Sequence, residues 1–353
     1  MKTFWSQRIR DLTPYTPGEQ PKDRRFIKLN TNECPYPPSP KVLEAIREAA
    51  DARLRLYPDP ECRELRAAIA KREGLRPEQV FCGNGSDEIL AFAFQAFFDP
   101  DKDVVFPRIT YSFYPVYTDF FGLRRREVPM NPDFDHPIDL LCGNNGGVVL
   151  ANPNAPTGIA VGLDAVEKIL RANPDVAVIV DEAYIDFGAD SAVGLIGQYP
   201  NLLVVQTASK SRALAGLRVG WAMGDEDLIA ALRCVRDCVN SYTVDRLAQA
   251  GAKAAIEDEE YFQTVRKKVM DTRTWTERAL RSKGFTVLPS RANFLFISHP
   301  NHSGGELLDG LRRRGILVRR WDKRSIENWL RVSIGTPEEM EALVRALDEL
   351  LGK

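Results

Sequence analysis

The 353-residue sequence holds only three histidines, His136, His299 and His302, and no HExxH pattern or Cys/His cluster. That scarcity argues against a zinc site and against a Ser-His-Asp hydrolase. The six cysteines (Cys34, Cys62, Cys82, Cys142, Cys234, Cys238) are scattered with no CxxC, so they read as reduced thiols packed as small hydrophobes. Neither sign of charge is in excess: 48 Lys+Arg against 49 Asp+Glu leave a formal charge of −1. This removes the electrostatic case for a nucleic-acid binder or an anionic-membrane protein. The longest charge-free apolar stretch, residues 89–98, is far short of the ~20 residues that span a bilayer. No apolar run follows the basic residues of MKTFWSQRIRDLTPY, so no signal peptide is expected and the expected location is the cytoplasm.

What is present is an ordinary globular composition, 44% hydrophobic and 27% charged, able to bury its own core without disulfides or metals. At roughly 150 residues per domain the length suggests about two. Residues 1–40 are rich in Pro and Tyr and read as an irregular arm. From Lys41 onward helices alternate with short β-branched runs at 80–82, 104–106, 148–151, 176–180 and 202–206. Such runs between helices predict an α/β fold, a mainly parallel sheet covered on both faces. Past residue 225 long charged helices (225–236, 258–282) lead to short strands at 285–288, 293–297, 316–319 and 329–334 and a closing helix at 337–351. The expected organisation is an arm and part of a small domain (1–40), a large domain (41–255) and a smaller α+β domain (256–353).

Four patterns carry chemistry. Gly83-Asn84-Gly85-Ser86-Asp87-Glu88 joins a strand to a helix. Its glycines allow close backbone approach and the helix start offers N–H groups to a phosphate, although a capped turn explains it equally. Asn152-Pro153-Asn154-Ala155-Pro156-Thr157-Gly158 leaves a strand end, where α/β folds bind ligands. Asp181-Glu182-Ala183-Tyr184 puts a carboxylate at the tip of a buried strand, costly unless it meets a cation or a donor. Thr207-Ala208-Ser209-Lys210, with Arg218 eight residues on, offers an amine that desolvation can free for Schiff-base chemistry, two hydroxyls and a guanidinium for an anion.

In this order the four patterns resemble the histidinol-phosphate aminotransferase family, fold-type I pyridoxal-phosphate enzymes of the class II subgroup. The similarity runs from Leu12-Thr13-Pro14-Tyr15 through Leu29-Asn30-Thr31-Asn32-Glu33 and Tyr57-Pro58-Asp59-Pro60 to Leu330-Arg331-Val332-Ser333-Ile334-Gly335-Thr336. It implies a large domain with a mainly parallel sheet between helices and a smaller α+β domain. It also implies that Lys210 holds pyridoxal 5′-phosphate covalently and shuttles the proton, that Asp181 pairs with the pyridine nitrogen and that Tyr184 donates to the 3′-oxygen. Tyr111 would stack on the ring. The phosphate would sit among Gly85, Ser86, Asp87, Thr207, Ser209 and Arg218, and Tyr57 would reach the phosphate of a partner subunit, making a homodimer with shared sites.

The sequence departs from the family pattern at Ala155, where Asn usually precedes Pro-Thr-Gly and bonds the 3′-oxygen; Asn154 would substitute from one position back. Ile109 stands for a usual Pro and Cys34 for a usual Asn. Tyr15, Asn32, Arg319 and Arg331 match substrate-binding positions. The implied reaction is transamination between L-histidinol phosphate and 2-oxoglutarate, with no metal. Aromatic amino-acid transamination and phosphothreonine decarboxylation are the rival activities, and a ligand-sensing protein without turnover is the rival of another class. Lys210, Asp181, Tyr184 and Arg218 standing together argue against that last reading.

Overall fold

Strands buried on both faces need helices on both sides, and the chain supplies them in alternation. The computed structural model describes residues 4–21, 25–143 and 145–352. It begins with a single turn, α1 (Gln7–Arg10), the two-residue strand β1 (Ile27–Lys28), and helices α2 (Pro40–Ala49) and α3 (Arg63–Glu73). Ser39 starts α2 by accepting from the Lys41 N–H, with Pro40 where a missing N–H is harmless. Then follow β2 (Val80–Gly83), α4 (Gly85–Phe97), β3 (Asp103–Pro107), α5 (Phe113–Phe121), β4 (Arg124–Val128), β5 (Gly147–Ala151) and α6 (Leu163–Ala172). Next come β6 (Val178–Asp181), β7 (Leu202–Thr207), β8 (Gly220–Gly224), α7 (Glu226–Val239), α8 (Arg246–Glu257) and α9 (Glu259–Ser282). The last part comprises β9 (Thr286–Val287), β10 (Phe294–Ser298), α10 (Gly304–Arg313), β11 (Ile316–Leu317), β12 (Leu330–Ser333) and α11 (Pro337–Leu350).

The central sheet has the order β2-β8-β7-β6-β5-β3-β4. Only β8 runs antiparallel to its neighbours. Alternate residues serve opposite faces. Val178, Val180 and Val204 join Leu65, Ile169 and Ala252 in one apolar core, while Ile179, Leu203 and Val205 join Ile89, Phe94 and Leu232 in another. The free edge β4 exposes Arg124, Arg125 and Arg126, charges that discourage pairing with another strand.

The second sheet is antiparallel, β12-β10-β9, and its core gathers Leu295, Leu311, Leu330, Val332, Leu343 and Leu347. β1 pairs in parallel with β11, so the N-terminal arm is stitched to the C-terminal part of the chain. Asp258 marks the turn between α8 and α9 and is bound by Lys41 Nζ at 2.9 Å.

The hydrophobic pattern misses β1, α8 and α10, and also β4, β8 and α5. β4 carries three arginines, β8 has glycine at both ends, and the aromatic segment of α5, with Pro115 in its first turn, shows no clean apolar stripe. The strand expected at 176–180 lies at Val178–Asp181, so Asp181 is its final residue and looks out of the sheet's carboxyl end.

Candidate active site

The site grows from the carboxyl ends of β2, β6 and β7. β2 stops at Gly83 and α4 starts at Gly85, so the first N–H groups of α4, on Gly85, Ser86 and Asp87, have no carbonyl partner within the helix and carry its positive dipole end. Gly85 has φ +81°, and a Cβ there would lie 2.5 Å from Arg218 Nη2; the guanidinium packs directly over the bare backbone. Across the turn, a Cβ on Gly220 would meet the Ser86 nitrogen at 2.6 Å. β8 therefore approaches α4 with backbone against backbone, which only glycine permits. Arg218 reaches Ser209 Oγ at 3.4 Å and Asp87 Oδ2 at 3.2 Å, and the Thr207 and Ser209 hydroxyls lie 3.0 Å apart. The result is a cradle of amides, hydroxyls and one guanidinium that suits a phosphate.

Asp181 forms the floor. Its Oδ2 accepts from the Tyr114 hydroxyl at 2.8 Å and its Oδ1 from the Ala183 N–H at 3.2 Å. Burial pushes its pKa up to about 6 against the pull of those two donors. The neighbouring Glu182 faces away from the site, holding Ser191 Oγ, Ala192 N and Gln206 Nε2 at 2.7–2.8 Å; burial lifts it to about 7, and its contacts are structural. Lys210 Nζ donates to the Thr31 carbonyl at 3.2 Å and stands 5.8 Å from the centroid of the Tyr184 ring. Tyr111 is fixed by donating to Asp87 Oδ1 at 2.7 Å.

Ser86, Asp87, Tyr111, Asp181, Tyr184, Thr207, Ser209, Lys210 and Arg218 line one cavity of about 540 Å³, together with Tyr15, Arg319 and Arg331, while Gly85 lies just behind it under Arg218. Arg319 and Arg331 face each other across an antiparallel bridge, exchanging backbone bonds of 3.0 and 2.8 Å. Like charges placed opposite each other in a ladder are unfavourable, and among the described residues neither has a carboxylate partner. Arg331 Nη2 donates to the Asn30 carbonyl at 2.9 Å, while its buried Nε has no acceptor. Burial, with Arg319 nearby, pulls its pKa down. Arg319 is held by the carbonyls of Thr16 (2.8 Å) and Pro17 (3.2 Å), and the Tyr15 ring stacks on Phe113 at 4.3 Å. Such a pair of cations invites a dianion from solution.

Three expected residues lie elsewhere. Asn154 is fully buried and gives its amide to the Ile109 carbonyl and Thr157 Oγ1, both at 3.0 Å; Ala155, not Asn154, lines the cavity. The side chain one position back faces the opposite side of the loop and does not replace the missing Asn. Asn32 lies behind the cavity wall rather than in it, donating to the Tyr184 hydroxyl at 3.0 Å. Tyr57 is 77% exposed and stacks on Tyr242 at 4.4 Å, outside the cavity. The sequence reading also missed Tyr114, whose only signal was its place three residues, one helical turn, after Tyr111.

Residues 24–347 match the model of the family described as aminotransferase class I and II. A histidinol-phosphate aminotransferase of Clostridium acetobutylicum is 52% identical over 351 residues, covering 99% of this chain and all of that protein. One from Acinetobacter baumannii is 52% identical over 350 residues, covering 98% and 97%. Among solved structures, the Sinorhizobium meliloti histidinol-phosphate aminotransferase in complex with pyridoxal-5′-phosphate superposes with a TM-score of 0.90 at 26% identity, covering 100% of this chain and 98% of that one.

Proposed function

The chain belongs to the class I and II aminotransferases, in the histidinol-phosphate aminotransferase family, and from that premise we propose that it transfers the amino group between L-histidinol phosphate and 2-oxoglutarate. The observation that carries the substrate is the Arg319–Arg331 pair, bridged backbone to backbone and both lining the cavity that holds Lys210. A phosphate at one end of the amine and a carboxylate of the keto acid both satisfy that pair in turn.

The residues present fit pyridoxal 5′-phosphate. The Gly85 cradle, which any Cβ would fill, matches its phosphate, and the buried Asp181 carboxylate matches a pyridinium. Bound there, the cofactor supplies an electron sink for the charge left when a proton leaves the substrate carbon. Asp181 would keep the ring nitrogen protonated, Tyr111 would pack against the ring, and Arg218 with Thr207 and Ser209 would anchor the phosphate. Lys210 provides the amine that holds the cofactor and moves the proton, and Tyr184 donates to the 3′-oxygen. Tyr57, exposed beside Leu54 and Leu56, serves the partner's phosphate in a homodimer. A cytoplasmic location accords with this chemistry, and no helix among the described residues is long and apolar enough to cross a membrane.

The test is a visible-absorbance titration of the purified, cofactor-loaded protein. Bleaching of the visible band at low L-histidinol phosphate supports the reading, and bleaching only with phenylalanine moves the substrate to aromatic amino acids. A Lys210→Ala protein that retains the band would overturn the role of Lys210.

A further inference from the structure

We infer that Asn32 is a positioning residue for Tyr184: its amide fixes the direction in which the phenol donates, aiming the hydroxyl proton into the cavity. The inference rests on the cofactor reading above and adds a residue that the substrate role had claimed.

Hydrogen-bond polarity runs along a closed chain from Ser333 through Asn32 to Tyr184. The Asn32 backbone N–H donates to Ser333 Oγ at 2.9 Å, and the Ser333 hydroxyl donates to Asn32 Oδ1 at 2.8 Å. A hydroxyl has one proton, and Ser333 gives it to Oδ1, which leaves Nδ2 to face Tyr184. Nδ2 carries two hydrogens and cannot accept. At 3.0 Å it donates to the phenolic oxygen, and the phenolic proton must point elsewhere. The open direction is the cavity that Tyr184 lines.

The chain is well anchored. Asn32 is 1% exposed, and its carbonyl accepts from Asn293 Nδ2 at 2.9 Å. Ser333 ends β12 of the second sheet, and Tyr184 follows β6 of the first, so the second sheet sets a proton in the site of the first. The requirement is acute here because Ala155, which has no hydrogen-bonding side chain, lines the cavity and the Asn154 amide is turned away from it, so the Tyr184 hydroxyl would have no amide from that loop to help it. The charged and titratable groups facing Tyr184 are Lys210, Arg331 and Tyr114, and none of them bonds the Asn32 amide.

A phenol that donates to the 3′-oxygen stabilises negative charge there and lowers the pH at which the bound cofactor gives up its proton. Asn32 has φ +57°, a conformation that Gly and Asp adopt readily, so Asn32→Gly and Asn32→Asp remove the amide donor without straining the backbone. Asp in addition turns the phenol toward itself. The experiment is a pH titration of the visible band of the cofactor-loaded protein for wild type, both variants, Tyr184→Phe and the Asn32→Gly/Tyr184→Phe double variant.

We expect the midpoint to rise by about one pH unit, a tenfold change in the protonation constant, in each single variant. Asn32→Gly should add little once the phenol is gone. An unchanged midpoint in both Asn32 variants overturns the inference. So does an equal rise with and without the Tyr184 hydroxyl, which is what a merely structural role would give. A wild-type protein that forms no visible band with pyridoxal phosphate would instead overturn the cofactor reading.

Discussion

The Tyr114 hydroxyl donates to Asp181 Oδ2 at 2.8 Å, with both side chains buried. Burial alone favours the neutral carboxyl, and the phenol, with the Ala183 N–H, opposes it, so Tyr114 helps keep Asp181 charged near neutral pH. Tyr114→Phe preserves the ring that packs against Phe94, Phe106 and Tyr111 and deletes only the donor. The Asp181 pKa should then rise above about 6. In the cofactor-free protein, where no ring cation faces Asp181, the buried carboxyl followed by infrared titration should protonate about one pH unit higher than in wild type, and the thermal midpoint above pH 7 should fall by a few degrees. A carboxyl titration that superposes on the wild type would remove Tyr114 from this role.

Asp181 also burdens the folded chain. Its pKa is about 6 in the folded protein against an ordinary 3.8, so between those pH values the folded state binds the proton more tightly than the unfolded state. Stability therefore falls as pH rises through that window, by about 3 kcal/mol once above it. Asp181→Asn carries no charge to desolvate. The cofactor-free variant should melt a few degrees above cofactor-free wild type at pH 7.5, and the gap should close toward pH 4, while turnover is mostly lost for want of a partner to the ring nitrogen. Glu182 at about 7 and His136 at about 4 titrate in both proteins and cancel in the comparison. Calorimetry at the two pH values decides it.

These two cases also show what the sequence discloses. Lys210, Asp181 and the Gly85 turn were legible because each stands at or just past the end of a short apolar strand, where period and punctuation coincide, and Arg218 was legible through its spacing from Lys210. Tyr114 was not, since nothing in an aromatic helix says which hydroxyl will meet a carboxylate 67 residues on. Asn32 was read as a substrate contact through the family resemblance, and its neighbours Thr31 and Glu33 do line the cavity; its left-handed backbone turns its own side chain to the other side. Asn154 failed for a related reason: it begins a tight turn, closed by the Gly158 N–H on its carbonyl, in which its amide is held by Ile109 and Thr157, so a one-residue shift does not place an amide where Ala155 sits. Strand β8 escaped notice because close approach to α4 demanded glycine at the position where a strand signal would have been β-branched.

The arginine pair separates binding from chemistry. Arg331→Lys keeps the charge but loses the planar fork, and its Nε is the buried donor still without an acceptor. KM for L-histidinol phosphate should rise at least about tenfold, with a smaller change in kcat, because the lost contact lies away from the reacting carbon. Arg319→Ala should act in the same direction and less strongly, since Arg319 is more solvated. Steady-state kinetics with phosphorylated and unphosphorylated amines would show it: the penalty should vanish for the amine lacking phosphate, and an equal penalty for both would place the phosphate elsewhere.

Gly85 offers the sharpest test of the cradle. At φ +81° an alanine is strained, and its Cβ would fall 2.5 Å from Arg218 Nη2. The side chain, not the backbone, is the atom group that can yield, so the expected outcome of Gly85→Ala is a folded protein with Arg218 displaced from the helix start. The backbone strain should cost about 1 kcal/mol of stability, while the dissociation constant for pyridoxal phosphate should rise at least about tenfold as the guanidinium leaves the anion. Pyridoxal lacking the phosphate should bind wild type and variant alike. Gly220→Ala differs in kind, because its Cβ would press on the backbone of Gly85 and Ser86, which cannot swing aside. There the stability loss should exceed that of Gly85→Ala, and equal melting temperatures for the two variants would show that β8 and α4 are not held as close as their backbones indicate.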